Sequence, residues 1–181
     1  MAHVNLVDPA TSPATVKPVL DQIKGAFGVV PNMFKAVANS PAALSSMWGS
    51  FGALGTGKLG ARLGEQLAVA IANANHCEYC LAAHTVLGRN AGASAEDMAQ
   101  AQVGQSSDPR TQAALTFALK IVRDRAAISS DDVQTLKAAG FDDEAVVEII
   151  AHVALNLFTN YVNVALDVPV DFPAVKLKTL A

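Results

Sequence analysis

The sequence predicts an all-α protein, a compact multi-helix domain. No segment alternates apolar and polar residues with the period of two that is typical of strands. Apolar residues instead recur at intervals of three and four, as at Leu44, Met47 and Phe51. Serine followed three residues later by aspartate, as at Ser94 and Asp97, is typical of a helix start. Together these patterns favour helices throughout the chain.

The N-terminal third predicts three helices. The first begins at residues 11–13 and continues as an irregular amphipathic stretch to about Phe27, with a break or kink at Pro18. A turn then leads into a short helix from Asn32 to Ala38. The Ser40-Pro41 pair caps the third helix, because proline is favoured in the first helical turn.

Glycines weaken any helix between Phe51 and Arg62, so this stretch is predicted to be a loop. The next helix runs to Ala74 and carries Glu65 as the last charge before a long apolar run. A carboxylate in such surroundings is suited to passing protons. Alternatively, Glu65 is a first-turn glutamate that the helix dipole favours.

Both cysteines of the chain lie in the following segment. If residues 76–88 are helical, Cys77, Cys80 and His84 share one stripe, because each residue turns a helix by about 100°. Cysteines on adjacent turns can form a disulfide after small backbone adjustments. A dithiol beside an imidazole base, with Glu65 on the preceding helix, indicates a redox site.

Asn75 and Glu78 resemble a capping box, which predicts a helix that begins at His76 with Cys77 in its first turn. The positive end of a helix lowers the pKa of a thiol. This argument favours Cys77 as the more acidic thiol, whereas Cys80 lies one turn from the imidazole base.

The motif allows other interpretations. The cysteines and the following histidine, completed by His76 or Glu65, would give four zinc ligands, but structural zinc sites usually draw ligands from two separated pairs. Without the neighbouring cysteines, His84 would be interpreted as a structural histidine that forms hydrogen bonds. A thioredoxin-like motif would need a preceding strand, and covalent haem attachment would need histidine at the position of Leu81. We predict neither a metal nor a cofactor.

Three more helix starts follow in the second half. The first is at Ser94. The exposed loop 104–109 ends in an Asp-Pro pair that starts an amphipathic helix to about Arg125. Ser129 opens a further helix that Gly140 ends.

The last helix, from about Asp143 to Leu166, contains 18 residues without charge from Ile149 onward. That length invites a membrane span. We predict no span, because one polar stripe runs along the helix through His152, Asn156, Asn160 and Asn163. An unpaired buried polar group costs about 1–3 kcal/mol, so the stripe either ties helices or subunits together or places His152 or Asn156 in a pocket beside Cys80.

We expect residues 1–181 to form a single domain, with residues 1–30 as an N-terminal arm and helix and residues 168–181 as an extended C-terminal tail that lies across a neighbouring subunit. With 51% hydrophobic and 16% charged residues, the surface would leave much apolar area exposed, which favours self-association. A net charge of −3 provides no footprint for nucleic acid, and no basic run indicates an anionic membrane. The N-terminus lacks the pattern of a signal peptide, so a cytoplasmic location is expected, where a Cys-x-x-Cys pair stays reduced.

At Glu65, Cys77, Cys80 and His84 the chain resembles the alkyl hydroperoxidase D family, within the wider carboxymuconolactone decarboxylase-like superfamily. The best-known members carry a second histidine between the cysteines, where this chain has Tyr79. Further resemblance, to a peroxidase-related branch, lies in residues 30–34, 39–41, 55–58, 160–161 and 171–173. The resemblance thus covers most of the chain.

The resemblance implies an all-helical fold and antioxidant reduction of organic hydroperoxides or hydrogen peroxide. It implies that Cys80 attacks the peroxide, that Cys77 resolves the sulfenate as a disulfide, and that Glu65 and His84 relay protons. It also implies a lipoylated or thioredoxin-like dithiol as electron donor, and a homo-oligomer such as a dimer, trimer or hexamer. Two rival classes are a decarboxylase-like or hydrolytic enzyme with incidental thiols and a non-enzymatic redox-sensing or zinc-binding oligomer. Decarboxylase members generally lack the cysteine pair, which argues against the first.

Overall fold

The computed structural model describes residues 2–179, and this part of the chain forms nine α-helices and no strand. The predicted all-α fold is confirmed. In chain order the helices are α1 (Lys17–Phe27), α2 (Asn32–Val37), α3 (Pro41–Gly55), α4 (Ala61–Ala74), α5 (Glu78–Asn90), α6 (Ala95–Gln102), α7 (Pro109–Arg123), α8 (Ser130–Ala138) and α9 (Asp143–Ala165).

Helix α4 lies at the centre of the domain and contacts α5, α6, α7 and α9. Residues 66–73 are all buried, and none of them carries a charge. A helix that is apolar on every side belongs in a core, because no face needs to meet water. Glu65 therefore stands at the edge of the most deeply buried part of the protein.

Local chemistry fixes the helix starts that the sequence predicted. Ser94 and Ser129 each accept a hydrogen bond from the backbone N–H three residues later, and the aspartates at those positions accept from the serine backbone. The Ser40 hydroxyl caps α3 in a similar way. These caps satisfy N–H groups that have no partner within the helix.

Two predicted boundaries are wrong. The first helix begins at Lys17, not at residues 11–13, and Pro18 lies in its first turn, where proline removes no helical hydrogen bond. Helix α3 continues to Gly55 and leaves a shorter loop at residues 56–60, because packing against α9 outweighs the weak helix propensity of its glycines.

The C-terminal tail is extended, as predicted, but it lies along its own chain. Asn73 Nδ2 donates a hydrogen bond to the carbonyl of Lys178 at 2.8 Å, and Gln102 Nε2 donates to the carbonyl of Lys176 at 2.7 Å. The described tail is therefore fastened to α4 and α6 of the same chain. Residues 1, 180 and 181, which belong to the predicted arm and tail, lie outside the described residues.

Helix α9 has two contrasting sides. Among the residues described it is the one helix long and apolar enough to cross a membrane, and 44% of its most apolar window is buried inside the protein. Its outward side exposes five large apolar residues, which we call the outer stripe: Val147, Ile150, Phe158, Tyr161 and Val164. Its inward side buries three asparagines, which we call the inner amides: Asn156, Asn160 and Asn163.

Candidate active site

The two cysteines flank the first turn of α5. This helix begins at Glu78, so Cys77 is its N-cap and Cys80 lies inside the first turn. The Cys77 Sγ accepts a hydrogen bond from the Cys80 backbone N–H at 3.3 Å. The predicted capping box is wrong, because Asn75 is the C-cap of α4 instead. Both thiols are free and buried.

Glu65 and His84 form a hydrogen-bonded pair between α4 and α5. His84 Nδ1 donates to Glu65 Oε2 at 2.7 Å, and the histidine is only 8% exposed. Gly88 of α5 makes room chiefly for Met98 of α6, since a Cβ there would overlap Met98 Cε, and it would also lie 3.3 Å from the Glu65 Cβ. The imidazole is thus fixed in orientation, as a carboxylate partner fixes the base in many catalytic sites.

The two thiols are electrostatically different. Burial opposes ionisation of Cys80, but the hydrogen bond from Cys77, the charge of His84 and the side-chain amide of Asn163 lower its pKa to about 6. The hydrogen bond with Cys80, followed by burial, raises the pKa of Cys77. The argument that favoured Cys77 as the more acidic thiol is therefore wrong, since side-chain partners outweigh the helix end.

His84 is suited to carry a proton beside this thiolate. Burial alone would lower its pKa, but the charge of the Glu65 carboxylate and its hydrogen bond raise the pKa of the imidazole above the usual value. The Cys80 thiolate acts in the same direction. Cys80 and His84 therefore favour the thiolate–imidazolium state near neutral pH.

Asn163 is a site residue that sequence reasoning missed. Its Nδ2 donates a hydrogen bond to Cys80 Sγ at 3.1 Å from the inner side of α9. Of the two interpretations of the polar stripe, one placed His152 or Asn156 in a pocket beside Cys80, but neither residue lines the cavity that contains this sulfur. The polar stripe itself was the correct signal, but the crossing point of α9 and α5 decides which member meets the thiol.

A cavity of about 320 Å³ opens at Cys80, Glu65 and His84. Its walls are largely aromatic, and the ring side chains that line it are Phe27, Phe34, Trp48, Phe51, Tyr79 and Phe172. Cavities of this size and apolar character typically take small organic molecules. The reactive thiol is thus presented to an apolar compartment with one acid/base pair.

Tyr79 is part of the cavity wall and not an acid/base group. Burial raises the pKa of its phenol, whose oxygen accepts a hydrogen bond from the Met33 backbone N–H at 3.1 Å. Its ring meets Phe172 of the C-terminal tail edge-on, with 5.8 Å between the ring centroids. Tyr79 therefore joins α2, α5 and the tail around the cavity.

A second cavity, of about 130 Å³, also contains Glu65 and His84, and His152 and Asn156 lie in its wall. Within residues 2–179, no group of three or more His, Cys, Asp or Glu side chains has the arrangement to hold a metal ion. The structure thus separates the sequence-predicted residues. Cys80 and Tyr79 line only the first cavity, and His152 and Asn156 line only the second. Glu65 and His84 line both, and the buried Cys77 lines neither.

Comparisons with known proteins agree with this architecture. A family model described as the carboxymuconolactone decarboxylase family matches residues 41–124, which span α3 to α7. No curated protein matches the chain. Among solved structures, the alkylhydroperoxidase AhpD core of an uncharacterized peroxidase-related protein from Ralstonia eutropha is 25% identical, with a TM-score of 0.86 over 94% of this chain and 92% of that one.

Two further structures share the fold. An uncharacterized peroxidase-related protein from Silicibacter sp. is 24% identical, with a TM-score of 0.81 over 96% of this chain and 92% of that one. A complex of the debrominase Bmp8 with 2,3,4-tribromopyrrole is 22% identical, with a TM-score of 0.79 over 94% of each chain. The chain is thus similar to the carboxymuconolactone decarboxylase family over residues 41–124, and its described residues share the helical fold of the alkylhydroperoxidase AhpD-like structures.

Proposed function

We propose that this protein is a thiol-dependent peroxidase that reduces organic hydroperoxides. The observation that carries the proposal is the meeting of Cys80, of lowered pKa, with the Glu65–His84 pair at the wall of one apolar cavity. Hydrogen peroxide would also reach the thiol. The aromatic lining, however, favours a peroxide with an apolar organic group, because burying apolar surface stabilises the complex.

The proposed reaction begins with the Cys80 thiolate. Its sulfur attacks the terminal oxygen of the hydroperoxide, the O–O bond breaks, and the leaving alkoxide takes a proton from His84. Cys80 is now a sulfenic acid. The sulfur of Cys77 then attacks the Cys80 sulfur and loses its proton, the S–O bond breaks, and water leaves. The two thiols have lost two electrons to the peroxide and are joined as a disulfide.

Glu65 and His84 would act as the proton relay of this reaction. The Glu65 carboxylate holds His84 through Nδ1, which leaves Nε2 for exchange with the thiol and the alkoxide. Cys77 is suited to the resolving role because its raised pKa keeps it a thiol until the sulfenic acid forms. Cys80 is suited to nucleophilic attack because a thiolate is the reactive form.

The proposal includes partners that the family suggests. A lipoylated or thioredoxin-like dithiol would reopen the disulfide, and the physiological role would be antioxidant defence in the cytoplasm. The outer stripe of α9 supports a homo-oligomer. Val147 and Tyr161 are each more than 60% exposed, and an exposed apolar stripe is favourably buried against a second copy.

Mass spectrometry after one equivalent of cumene hydroperoxide tests the proposal. The reduced protein is expected to lose two daltons, and the loss should map to the peptide that contains both cysteines. Consumption of the hydroperoxide without this loss, or activity that survives alkylation of the thiols, would instead favour a decarboxylase-like or hydrolytic enzyme.

Two serine variants separate the roles of the cysteines. Cys80→Ser should show no oxidation and no turnover with dithiothreitol. Cys77→Ser should instead accumulate a Cys80 sulfenic acid that dimedone traps. An unchanged turnover rate in Cys80→Ser would end the proposal.

Reductive dehalogenation is a second candidate, favoured by the aromatic walls of the cavity. A flat halogenated ring would stack in such a compartment, and the debrominase Bmp8 has the same fold. In that reaction a carbon–hydrogen bond replaces a carbon–bromine bond of the substrate. The two thiols are oxidised to a disulfide, and hydrogen bromide is released. Incubation with a bromopyrrole, followed by measurement of bromide and of the two-dalton loss, distinguishes this activity from peroxide reduction.

A further inference from the structure

The Glu65–His84 pair lines two cavities, and the second has no role in the chemistry described so far. Three of the residues that line this second cavity, Gly55, Gly60 and Ala61, are exposed to solvent. Its inner end contains the acid/base pair. The cavity therefore connects solvent with Glu65 without passing through the aromatic substrate compartment.

The second cavity has room for water. Its volume of about 130 Å³ can hold about four water molecules, each with a liquid volume near 30 Å³. Its wall includes polar and titratable side chains, those of Glu65, His84, His152 and Asn156. A polar cavity of this size normally contains water, which hydrogen-bonds to such groups.

His152 stands in the wall of this cavity, half-buried on α9. Gly64 of α4 makes room for it, since a Cβ at Gly64 would lie 3.2 Å from Cε1 of the ring. No described residue forms a hydrogen bond with its ring nitrogens. The ring is therefore free to exchange protons with water.

The reductive half of the proposed cycle requires a proton route. A donor dithiol attacks as a thiolate after losing its protons to solvent. Its first sulfur bonds to Cys77 and Cys80 leaves as a thiolate, then its second sulfur displaces Cys77. Two electrons thus enter the protein, but two protons must follow, one to Cys77 and one to the His84 that gave its proton to the alkoxide. A protonated His84 also speeds the step, because a thiol of lower pKa leaves faster.

We propose that the second cavity is the path by which the Glu65–His84 pair exchanges protons with solvent, and that His152 is the positioning residue on that path, acting through Glu65. The inference rests on the proposed function. It explains why the polar stripe of α9 includes a histidine at a position that does not reach the substrate compartment.

The charges around His152 agree with this role. Burial lowers the pKa of its imidazole, the carboxylates of Glu148 and Glu65 act to raise it, and the charge of His84 acts to lower it. With burial dominant, the ring is neutral near neutral pH and can accept a proton from water and pass it on. These carboxylates and imidazoles, from α4, α5 and α9 itself, are the titratable groups that act on it.

The test follows reduction of the disulfide form by dithiothreitol, with the fluorescence of Trp48 as reporter. This residue is the one tryptophan of the chain and lines the first cavity. In His152→Ala, reduction at pH 7 should be slowed about tenfold, a modest loss for proton-transfer catalysis, and imidazole added to the buffer should restore the rate. In His152→Phe the loss should persist, because the phenyl ring fills the space that free imidazole needs.

His152→Gln is the matched control for structure, since glutamine keeps polarity but has no group that gains or loses a proton near neutral pH. It should be as slow as His152→Ala while circular dichroism shows an unchanged fold. Wild-type rates in His152→Gln between pH 6 and 8, or a slow His152→Ala that imidazole does not restore, would overturn the proposal.

The disulfide for this experiment is made with diamide, so that the test does not depend on peroxide. A wild-type protein that cumene hydroperoxide fails to oxidise would remove the peroxidase function and leave the proton path measurable. A protein in which diamide forms no Cys77–Cys80 disulfide would overturn the path itself.

Discussion

The inner and outer sides of α9 depart from the usual arrangement of a surface helix. Helices at a protein surface normally bury apolar residues and expose polar ones. Here the inner amides Asn156, Asn160 and Asn163 are at most 5% exposed, whereas Val147 and Tyr161 of the outer stripe are more than 60% exposed. The inner side thus meets polar atoms of the candidate active site, and the outer side lacks a partner within the described chain.

This difference shows how one helix, free of charge from Ile149 onward, presents two different surfaces. Inside, an amide gives the Cys80 sulfur a hydrogen bond without adding a competing charge. Outside, the absence of charge permits another copy of the protein to cover the helix without burying an ion, which would be costly. By composition alone, such a helix resembles a membrane span. Only the placement of its amides on the inner side and its apolar residues on the outer side distinguishes it from a span that is apolar all round.

The largest expected effect comes from the inner amide that touches sulfur. Asn163→Leu removes the hydrogen bond that helps to lower the Cys80 pKa to about 6. A hydrogen bond to a charged group contributes about 1.5–3 kcal/mol, which corresponds to about one to two pKa units. Because the thiolate is the reactive form, alkylation of Cys80 by iodoacetamide should slow by about 10- to 100-fold at pH 5, and its midpoint should move to higher pH.

Asn156→Leu is the matched control on the same side of α9. This amide also has a carbonyl oxygen without a partner, but it donates to the His152 carbonyl and not to sulfur. Its alkylation midpoint should remain near that of the wild type. Equal shifts in the two variants would show that the inner side acts through general polarity and not through one hydrogen bond.

A smaller effect is expected on the outer side. Tyr161→Glu introduces a charge into the apolar stripe and should weaken self-association by about tenfold or more, since truncating or charging a central aromatic contact is among the most damaging interface changes. Analytical ultracentrifugation over a range of concentrations measures this. Gln134→Glu places the same charge on an exposed part of α8 and should leave the distribution unchanged. A monomeric wild-type protein would contradict the proposed role of the stripe.

The smallest effect concerns the inner amide that joins helices. Asn160 accepts a hydrogen bond from Asn75 Nδ2 at 2.9 Å, which connects α9 to the end of α4. Asn160→Ala should lower the free energy of unfolding by about 1 kcal/mol, the net contribution of one such hydrogen bond. Urea denaturation measures the change. Stability equal to the wild type would mean that the bond to Asn75 contributes nothing at this crossing.

Helix starts were the most predictable part of the fold. Ser94 and Ser129 act through a partner three residues away, so their geometry is local and the sequence contains all of it. Pro18 misled for the opposite reason. Proline is tolerated in the first turn of a helix but disrupts its interior. Whether Pro18 lies in the first turn depends on where tertiary contacts allow the helix to begin.

The acidity of the thiols was mispredicted because it depends on distant groups. A local argument from the helix end favoured Cys77. In the folded chain, Cys80 has hydrogen bonds or charges from Asn163 of α9 and from His84 held by Glu65 of α4. The spacing of a Cys-x-x-Cys motif says nothing about such partners.

The sequence by itself determined the helical class and the helix starts at Ser94 and Ser129, and it proposed Glu65, Cys77, Cys80 and His84 as candidate site residues, because periodicity, capping and short-range spacing are properties of neighbouring residues. Tertiary structure alone decided which amide of α9 meets sulfur, which thiol is acidic, and that His152 lines a second cavity. These outcomes depend on where helices remote in sequence cross, and a crossing is set by the packing of whole helix faces.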